Sequence, residues 1–128
     1  MTEPRWITQR GLILLLEESL AEHGGLAGIR DQGMLESALA RPRNQFAYEG
    51  ADLAQLAAAY AFGIAKNHPF VDGNKRAAFA AAGLFLLKNG IELSAPQPET
   101  YAMMIALASS ETGEEQFADW MRANTRPR

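Results

Sequence analysis

The chain has 128 residues, of which 48% are hydrophobic and 21% are charged, and its formal net charge is −3 at pH 7. This length suits one folded domain, which we expect to span residues 1–128, and the composition excludes a disordered or fibrous chain. Proteins that bind the phosphates of nucleic acids usually carry an excess of basic residues. Because this chain is net negative, we expect no direct nucleic-acid partner.

Cysteine is absent from the sequence. Its absence excludes disulfides, thiolate nucleophiles and cysteine-based metal sites, and it fits a reducing compartment such as the cytoplasm. The longest strongly apolar runs, residues 12–16 and 77–87, are shorter than the ~20 residues that a membrane-spanning helix requires. Since the chain also lacks a signal-like segment at its start, we expect a cytoplasmic protein without a membrane partner.

In chain order, the predicted elements are all helices. Alanine is the most frequent residue and valine occurs once; alanine favours helices, whereas β-branched residues favour strands. We therefore predict an all-α fold, a six-helix bundle around a central buried helix. The predicted helices span residues 8–23, 31–41, 52–67, 73–89, 98–108 and 114–123.

Local signals set these boundaries. Thr8 and Asp31 can cap the first two helices, and Gly24 can end the first. Proline disfavours the α conformation of the residue before it. We therefore predict that the second helix ends before Pro42 and that His68-Pro69 interrupts the third.

Two segments lack a helical period. We predict that residues 90–98 form a connecting loop and that residues 43–50 form a loop or a short extended flap before the third helix. By contrast, residues 77–87 are apolar on every side, which is typical of a helix in the centre of a domain. We expect Phe79 and Phe85 to belong to the core.

The polar chemistry is concentrated in residues 67–76, Asn-His-Pro-Phe-Val-Asp-Gly-Asn-Lys-Arg, between two apolar helices. The first N–H groups of a helix lack partners and the helix dipole is positive there, so Gly73 and the residues after it predict an anion site that a phosphate can approach closely. Lys75 and Arg76 add two cations in the first turn, where cations are unfavourable unless an anion compensates them. No P-loop motif is present.

Two further residues of this segment carry reactive groups. Asp72 offers a carboxylate oxygen of the kind that Mg²⁺ accepts when substrate phosphates complete its coordination. His68 is one of two histidines and is the natural general base near neutral pH. A base, a metal-binding carboxylate and a phosphate site so close together indicate phosphoryl or nucleotidyl transfer.

The stretch His-Pro-Phe-Val-Asp-Gly-Asn-Lys-Arg at 68–76 resembles the signature of the Fic/Doc superfamily, H-P-F-x-[DE]-G-N-[GK]-R. The version with lysine near its end resembles the death-on-curing (Doc) branch. Residues 28–42 and 85–90 resemble that branch as well, so the likeness covers nearly the whole chain. The resemblance implies the Fic fold.

The resemblance also implies a role for each matching residue. His68 matches the catalytic histidine that activates a protein hydroxyl, and Asp72 matches the acidic residue that positions Mg²⁺ or orients the reacting groups. Asn74 lies in the phosphate-binding loop, and Arg76 matches the arginine that holds phosphate. Phe70 matches a residue that packs into the core and fixes the loop.

Lys75 separates two activities within the superfamily. Adenylylating Fic proteins have glycine at this position, whereas in the Doc branch the nucleotide is taken to sit reversed, so that the γ-phosphoryl group is transferred. The resemblance therefore implies a toxin of a type II toxin–antitoxin system that acts as a protein Ser/Thr kinase. It further implies ATP as co-substrate, Mg²⁺ as cofactor, elongation factor Tu as target and a Phd-type antitoxin as inhibitor.

Two alternative functions stay open. The motif apart from Lys75 would allow adenylylation of a protein hydroxyl, as in other Fic proteins. Alternatively, a catalytically inert helical module could keep the fold in order to bind a partner. The intact His68, Asp72 and Arg76 argue against the inert module, because a scaffold has no physical need to gather polar groups around a phosphate-sized site.

Some features outside the motif also match relatives. In relatives a flap at the position of residues 43–50 clamps the target, and Phe46 and Tyr48 could do so here through an added strand. Residues 110–114 match the first part of the inhibitory helix of some Fic proteins, although the next residue departs from it. Lys66 could add to the charge that holds phosphate or could simply lie along the end of its helix.

Overall fold

A computed structural model describes residues 2–128. Within these residues there are six helices and two short strands. In chain order they are α1 (Gln9–His23), α2 (Gln32–Glu49), α3 (Leu53–Asn67), α4 (Asn74–Lys88), β1 (Ile91–Leu93), α5 (Gln97–Ala108), α6 (Glu114–Ala123) and β2 (Thr125–Pro127). The predicted all-α bundle of six helices is confirmed, and the strands are a small addition.

Three helices begin with side-chain caps, of which those at Thr8 and Asp31 were predicted. The Thr8 hydroxyl accepts a hydrogen bond from the third residue of its helix at 3.0 Å, and the Asp31 carboxylate does the same for α2 at 3.0 Å. At the start of α3, Asp52 and Gln55 form a reciprocal capping box with two bonds of 2.9 Å. These polar caps satisfy N–H groups that have no partner inside a helix.

Helix α2 is longer than predicted, because it runs through Pro42 to Glu49. The prediction that it ends before Pro42 is wrong, and so is the predicted loop or flap at residues 43–50. Leu35, Ala38 and Pro42 are buried at helical spacing, and Phe46 continues this face and packs edge-on against Trp6 at 5.9 Å. Burial of this apolar stripe keeps the segment helical despite the missing N–H group of the proline.

Helix α3 is the most enclosed helix and fills the centre of the bundle, where it packs against α2, α4, α5 and α6. It buries ten residues, six of them alanines that let the neighbouring helices approach closely. Helix α4 buries one face and exposes another: Phe85 is 0% exposed, whereas Phe79 is 39% exposed. The central helix is therefore α3, although the apolar run in α4 had suggested α4.

The predicted connecting loop after α4 contains β1. This strand pairs with β2 in antiparallel register, with Glu92 opposite Arg126, and these two side chains form a salt bridge at 2.9 Å. The pairing ties the C-terminal segment to the end of α4. Across the described residues, the helices are too short or too polar to cross a lipid bilayer.

Candidate active site

The loop between α3 and α4, residues 68–73, lies against the segment between α1 and α2. Ile29 and Phe70 form an antiparallel β-bridge, and the main-chain N–H of Val71 donates to the carbonyl of Gly28 at 3.0 Å. The Phe70 side chain is 2% exposed, so its predicted place in the core is confirmed. The loop is thus fixed both by strand-like pairing and by burial.

His68 ends α3 in a left-handed conformation, with φ 49° and ψ 54°, which is uncommon for a residue other than glycine. Its side chain is exposed. The Arg30 guanidinium donates from Nε to the carbonyl of His68 at 2.6 Å and from Nη2 to that of Asn67 at 2.8 Å. These carbonyls lack partners inside the helix, and a cation is favoured at a helix C-terminus.

The carboxylate of Asp72 faces the segment after α1. Its Oδ2 accepts from the N–H of Leu26 at 3.2 Å, and its Oδ1 accepts from the N–H of Gly73 at 2.8 Å. Each oxygen keeps a free lone pair and the side chain is exposed, so it can serve as a hard ligand. Residues 2–128 contain no cluster of three or more acidic or histidine side chains that could hold a metal. A Mg²⁺ ion at Asp72 therefore fits only if nucleotide phosphates complete its coordination.

Gly25 lies directly against Asp72. Its φ is +127°, and a β-carbon at this position would lie 2.9 Å from Oδ2 of Asp72 and 2.6 Å from Cδ2 of Leu20. Glycine is therefore required both by the conformation and by the space. Sequence reasoning took Gly24-Gly25 only as the end of α1. The second glycine was the signal that could have indicated this close approach to another part of the chain, because one glycine suffices to end a helix.

The N-terminus of α4 forms an anion cradle, defined here as the main-chain N–H groups of residues 74–76 together with the side chains of Lys75 and Arg76. Gly73 precedes it in a left-handed conformation, with φ 75°, and supplies no side-chain cap. The first hydrogen bond of the helix runs from the N–H of Ala77 to the carbonyl of Gly73 at 2.8 Å. The three N–H groups before it have no acceptor within residues 2–128, and they are the donors that an anion needs.

Asn74 lies at the start of the cradle, but its side chain is used to hold the loop. Its Nδ2 donates to the carbonyl of Phe70 at 3.0 Å, and its Oδ1 accepts from the N–H of Phe70 at 2.9 Å. Both ends of the amide are therefore bonded to the main chain of the loop. What Asn74 offers to an anion is its main-chain N–H.

Lys75 and Arg76 are both exposed, and neither forms an ion pair with the acidic residues of the described chain. Arg76 donates from Nη1 to the carbonyl of Gly24 at 3.3 Å. Two unpaired cations at the positive end of the helix dipole repel each other and the dipole, so this arrangement favours an anion with several charges. The phosphates of a nucleotide meet that condition.

A groove of about 710 Å³ opens beside the cradle, between α4, the segment after β1 and α5. Lys75 and Arg76 belong to its lining, together with the apolar side chains of Phe79, Tyr101 and Ile105. The exposure of Phe79 shows that its predicted place in the core is wrong. This groove, termed the α4–α5 groove, does not include His68 or Asp72 in its lining.

Three other polar residues do not belong to the cradle. Glu114, in the stretch that partly matches an inhibitory helix, is held in a two-point salt bridge by Arg41. Lys66 donates to Ser110 and to the carbonyl of Ala108 at the end of α5. His23 is exposed and contacts only its neighbouring glutamate.

Comparisons with known proteins agree with this geometry. The model of the Fic/DOC family matches residues 6–86. Protein kinase doc of Escherichia phage P1 is 34% identical over 119 residues, which cover 92% of this chain and 94% of that protein. Toxin Doc of Mycolicibacterium smegmatis is 47% identical over 76 residues, which cover 56% of this chain and 57% of that protein.

Proposed function

Because the chain belongs to the Fic/DOC family, and to its Doc toxin branch, we propose that it is the toxin of a type II toxin–antitoxin system and acts as a protein kinase. It transfers the γ-phosphoryl group of ATP to a serine or threonine hydroxyl of a translation factor such as elongation factor Tu. The observation that carries the proposal is the anion cradle, where unpaired Lys75 and Arg76 lie beside the loop that holds His68. A relative named Protein kinase doc supports the phosphate as the transferred group.

His68 is the general base in this proposal. Its exposed imidazole stands on a loop whose main chain is fixed, so it is available to an acceptor hydroxyl. The hydroxyl oxygen forms a bond to the γ-phosphorus while its proton passes to the imidazole. The bond from the γ-phosphorus to the bridging oxygen breaks, and ADP leaves with the electron pair.

The phosphates are held by the cradle and by Asp72. The N–H groups of residues 74–76 and the side chains of Lys75 and Arg76 donate to phosphate oxygens. Gly73 provides the left-handed conformation that begins the helix, and a β-carbon there would lie 3.0 Å from Leu16. Asp72 is the protein ligand of Mg²⁺, with the phosphates as its other ligands. When bound, the ion neutralises charge on the phosphates.

The α4–α5 groove holds the nucleoside. It is an apolar cleft with few polar groups, as is usual for a site that takes a base, and it shares Lys75 and Arg76 with the cradle. In this proposal the base lies in the groove, the phosphates follow the cradle, and the terminal phosphate lies toward His68. This orientation favours transfer of phosphate over transfer of adenylate.

The target segment docks on the apolar surface around the loop. Leu26, Ile29 and Val71 are 70%, 37% and 50% exposed, and the main-chain groups of Ile29 have no partner within the described residues. An extended peptide can add to such an edge through its main chain. In this proposal the segment between α1 and α2 takes the role that had been predicted for residues 43–50.

An enzyme that inhibits growth and has an open site needs a stoichiometric inhibitor, so we include a Phd-type antitoxin as partner. A relative named Toxin Doc supports this part of the proposal. We place the reaction in the cytoplasm, where translation factors act, and we treat residues 1–128 as one Fic domain.

The test is the intact mass of elongation factor Tu after incubation with the protein, ATP and Mg²⁺. A gain of about 80 Da identifies phosphate, and a gain of about 329 Da identifies adenylate. We expect phosphate, and we expect His68→Ala to lower the rate by about 10²–10⁴-fold while His23→Ala leaves it unchanged. A gain of adenylate would favour the adenylyltransferase alternative, and no gain in any acceptor from a cell extract would favour the inert module.

A further inference from the structure

Arg30 makes three contacts with consecutive carbonyl groups where α3 meets the active-site loop. Its guanidinium holds the carbonyls of Asn67 and His68 at 2.8 and 2.6 Å, and its own main-chain N–H donates to the carbonyl of Pro69 at 2.7 Å. Arginine carries its donors in a rigid planar fork, so two bonds from one guanidinium fix both the position and the direction of the carbonyls.

The residue held in this way is in a conformation that its own sequence does not favour. His68 has φ 49°. Histidine enters the left-handed region more readily than most residues other than glycine, but His68 precedes a proline, which biases it toward extended conformations. Such a conformation persists when the surroundings impose it. The two guanidinium bonds act directly on the carbonyls of Asn67 and His68. They are supported by the N–H groups of Arg30 and Asp31, which both donate to the carbonyl of Pro69.

The backbone conformation sets where the β-carbon of His68 lies relative to the loop, and this limits the directions in which the imidazole can point. We propose that Arg30 is a positioning residue, which holds His68 in the left-handed conformation that turns its imidazole toward the acceptor hydroxyl. This inference rests on the proposed function of His68 as general base. It assigns to Arg30 no contact with ATP and none with the reacting atoms.

The rest of the loop has anchors that do not depend on Arg30. Phe70 is buried, Asn74 bonds both main-chain groups of Phe70, and Val71 pairs with Gly28. Loss of the guanidinium should therefore free His68 while the cradle keeps its shape. The expected signature is a fall in kcat with an unchanged KM for ATP.

The closing experiment compares Arg30→Lys and Arg30→Ala with the wild-type protein. Lysine keeps the positive charge but has no planar fork, so we expect both variants to lower kcat by about 10–100-fold while KM for ATP changes by less than about twofold. Added methylguanidinium should restore part of the rate in Arg30→Ala and none in His68→Ala. Arg126→Ala, which removes an exposed arginine from the salt bridge between the strands, is the matched control and should keep the wild-type kcat.

A second readout does not require that the protein transfer phosphate. The chain has two histidines, so ¹⁵N-labelled imidazole signals can be assigned with His23→Gln alone. In Arg30→Lys the His68 signals should shift or broaden while those of His23 stay in place. Unchanged His68 signals, an unchanged kcat, or a loss confined to KM would each overturn the role of Arg30. If the wild-type protein transfers nothing but the His68 signals change, the proposed function fails and the positioning role stands.

Discussion

At the scale of single residues, two polar side chains beside the loop bond to main chain. Asn74 uses both ends of its amide on Phe70, and Arg30 holds the end of α3. As a result, the groups left for an anion are main-chain N–H donors and the side chains of Lys75 and Arg76. Two residue-scale predictions concern the charge of the cradle and the aromatic wall of the groove.

Lys75 should decide both the rate and the transferred group. Lys75→Gly removes a charge near the phosphates and enlarges the cradle, so we expect kinase activity to fall by about 10²-fold or more, with weak adenylylation in its place. Lys75→Met keeps the bulk without the charge and should lose phosphate transfer without gaining adenylylation. Intact mass of the acceptor measures both products. The control is Lys88→Met, which removes another exposed lysine. If Lys75→Gly transferred phosphate as fast as Lys88→Met, the proposed role of Lys75 would be wrong.

Phe79 should contribute to binding of the base. Stacking of a base on an aromatic side chain contributes about 1–3 kcal/mol, as judged by alanine substitution. We therefore expect Phe79→Ala to raise KM for ATP by roughly tenfold and to change kcat little. Tyr48→Ala, at an 87% exposed position outside the groove, is the control. Equal KM values in the two variants would contradict a nucleoside site in the α4–α5 groove.

At the scale of elements, helix ends carry both the stability and the chemistry. The C-terminus of α3 and the N-terminus of α4 meet at the loop. The last carbonyls of α3 are bonded by Arg30, whereas the first N–H groups of α4 have no acceptor within the described residues. The start of α3 is held differently, by the Asp52 capping box and by a salt bridge of 3.0 Å from Asp52 to Arg122 of α6. The start of α3 lies at the opposite end of the helix from the loop. Substitutions there can therefore test stability without changing the loop.

Asp52 should make stability depend on pH in the acid range. Burial raises its pKa, but hydrogen bonds from Arg122 and from the main chain of Gln55, together with the charge of Arg122, lower the pKa below its usual value of 3.8. Its contribution is therefore fully present above the unfolded pKa and is lost as the pH falls through the lower folded pKa. We expect Asp52→Ala to cost about 1 kcal/mol at neutral pH.

Asp52→Asn separates the cap from the charge, because asparagine caps a helix about as well as aspartate. Urea unfolding at neutral pH should give Asp52→Asn a smaller loss than Asp52→Ala. The difference between Asp52→Asn and the wild-type protein should shrink as the pH is lowered below about 4. A difference that stays constant with pH would show that the carboxylate charge contributes nothing.

At the scale of the whole molecule, a helix made largely of alanine lies at the centre of the bundle. Small side chains in α3 let α2, α4, α5 and α6 pack closely around it. The loop and the cradle lie at one end of this bundle, and exposed apolar side chains surround them, including Leu26 and Val71. Such a surface suits a partner that covers the site.

A small antitoxin should bind this protein and block its site. Disordered segments that fold on binding cover much surface while remaining degradable. We expect co-expression with the neighbouring reading frame to yield a stoichiometric complex with a raised Tm, since a ligand that binds only the folded state stabilises it. The complex should also transfer no phosphate. Growth arrest that persists at full strength when the small protein is co-expressed would count against the toxin assignment.

Sequence by itself determined the elements whose signals are local. Side-chain caps at Thr8 and Asp31 predicted two helix starts, because a cap acts within three residues of itself. Residues 68–76 predicted the loop and the cradle, because adjacent residues at a helix N-terminus must share one site.

Only the tertiary structure decided what depends on residues far apart in the chain. Helix α2 continues through Pro42 because its apolar face is buried against α3 and Trp6, and this gain outweighs the local preference of proline. The contact of Arg30 with His68 spans 38 positions, and the α4–α5 groove exists because α5 leaves part of α4 uncovered. A local sequence pattern does not indicate which distant residues will pack against it. These features therefore depend on the tertiary structure.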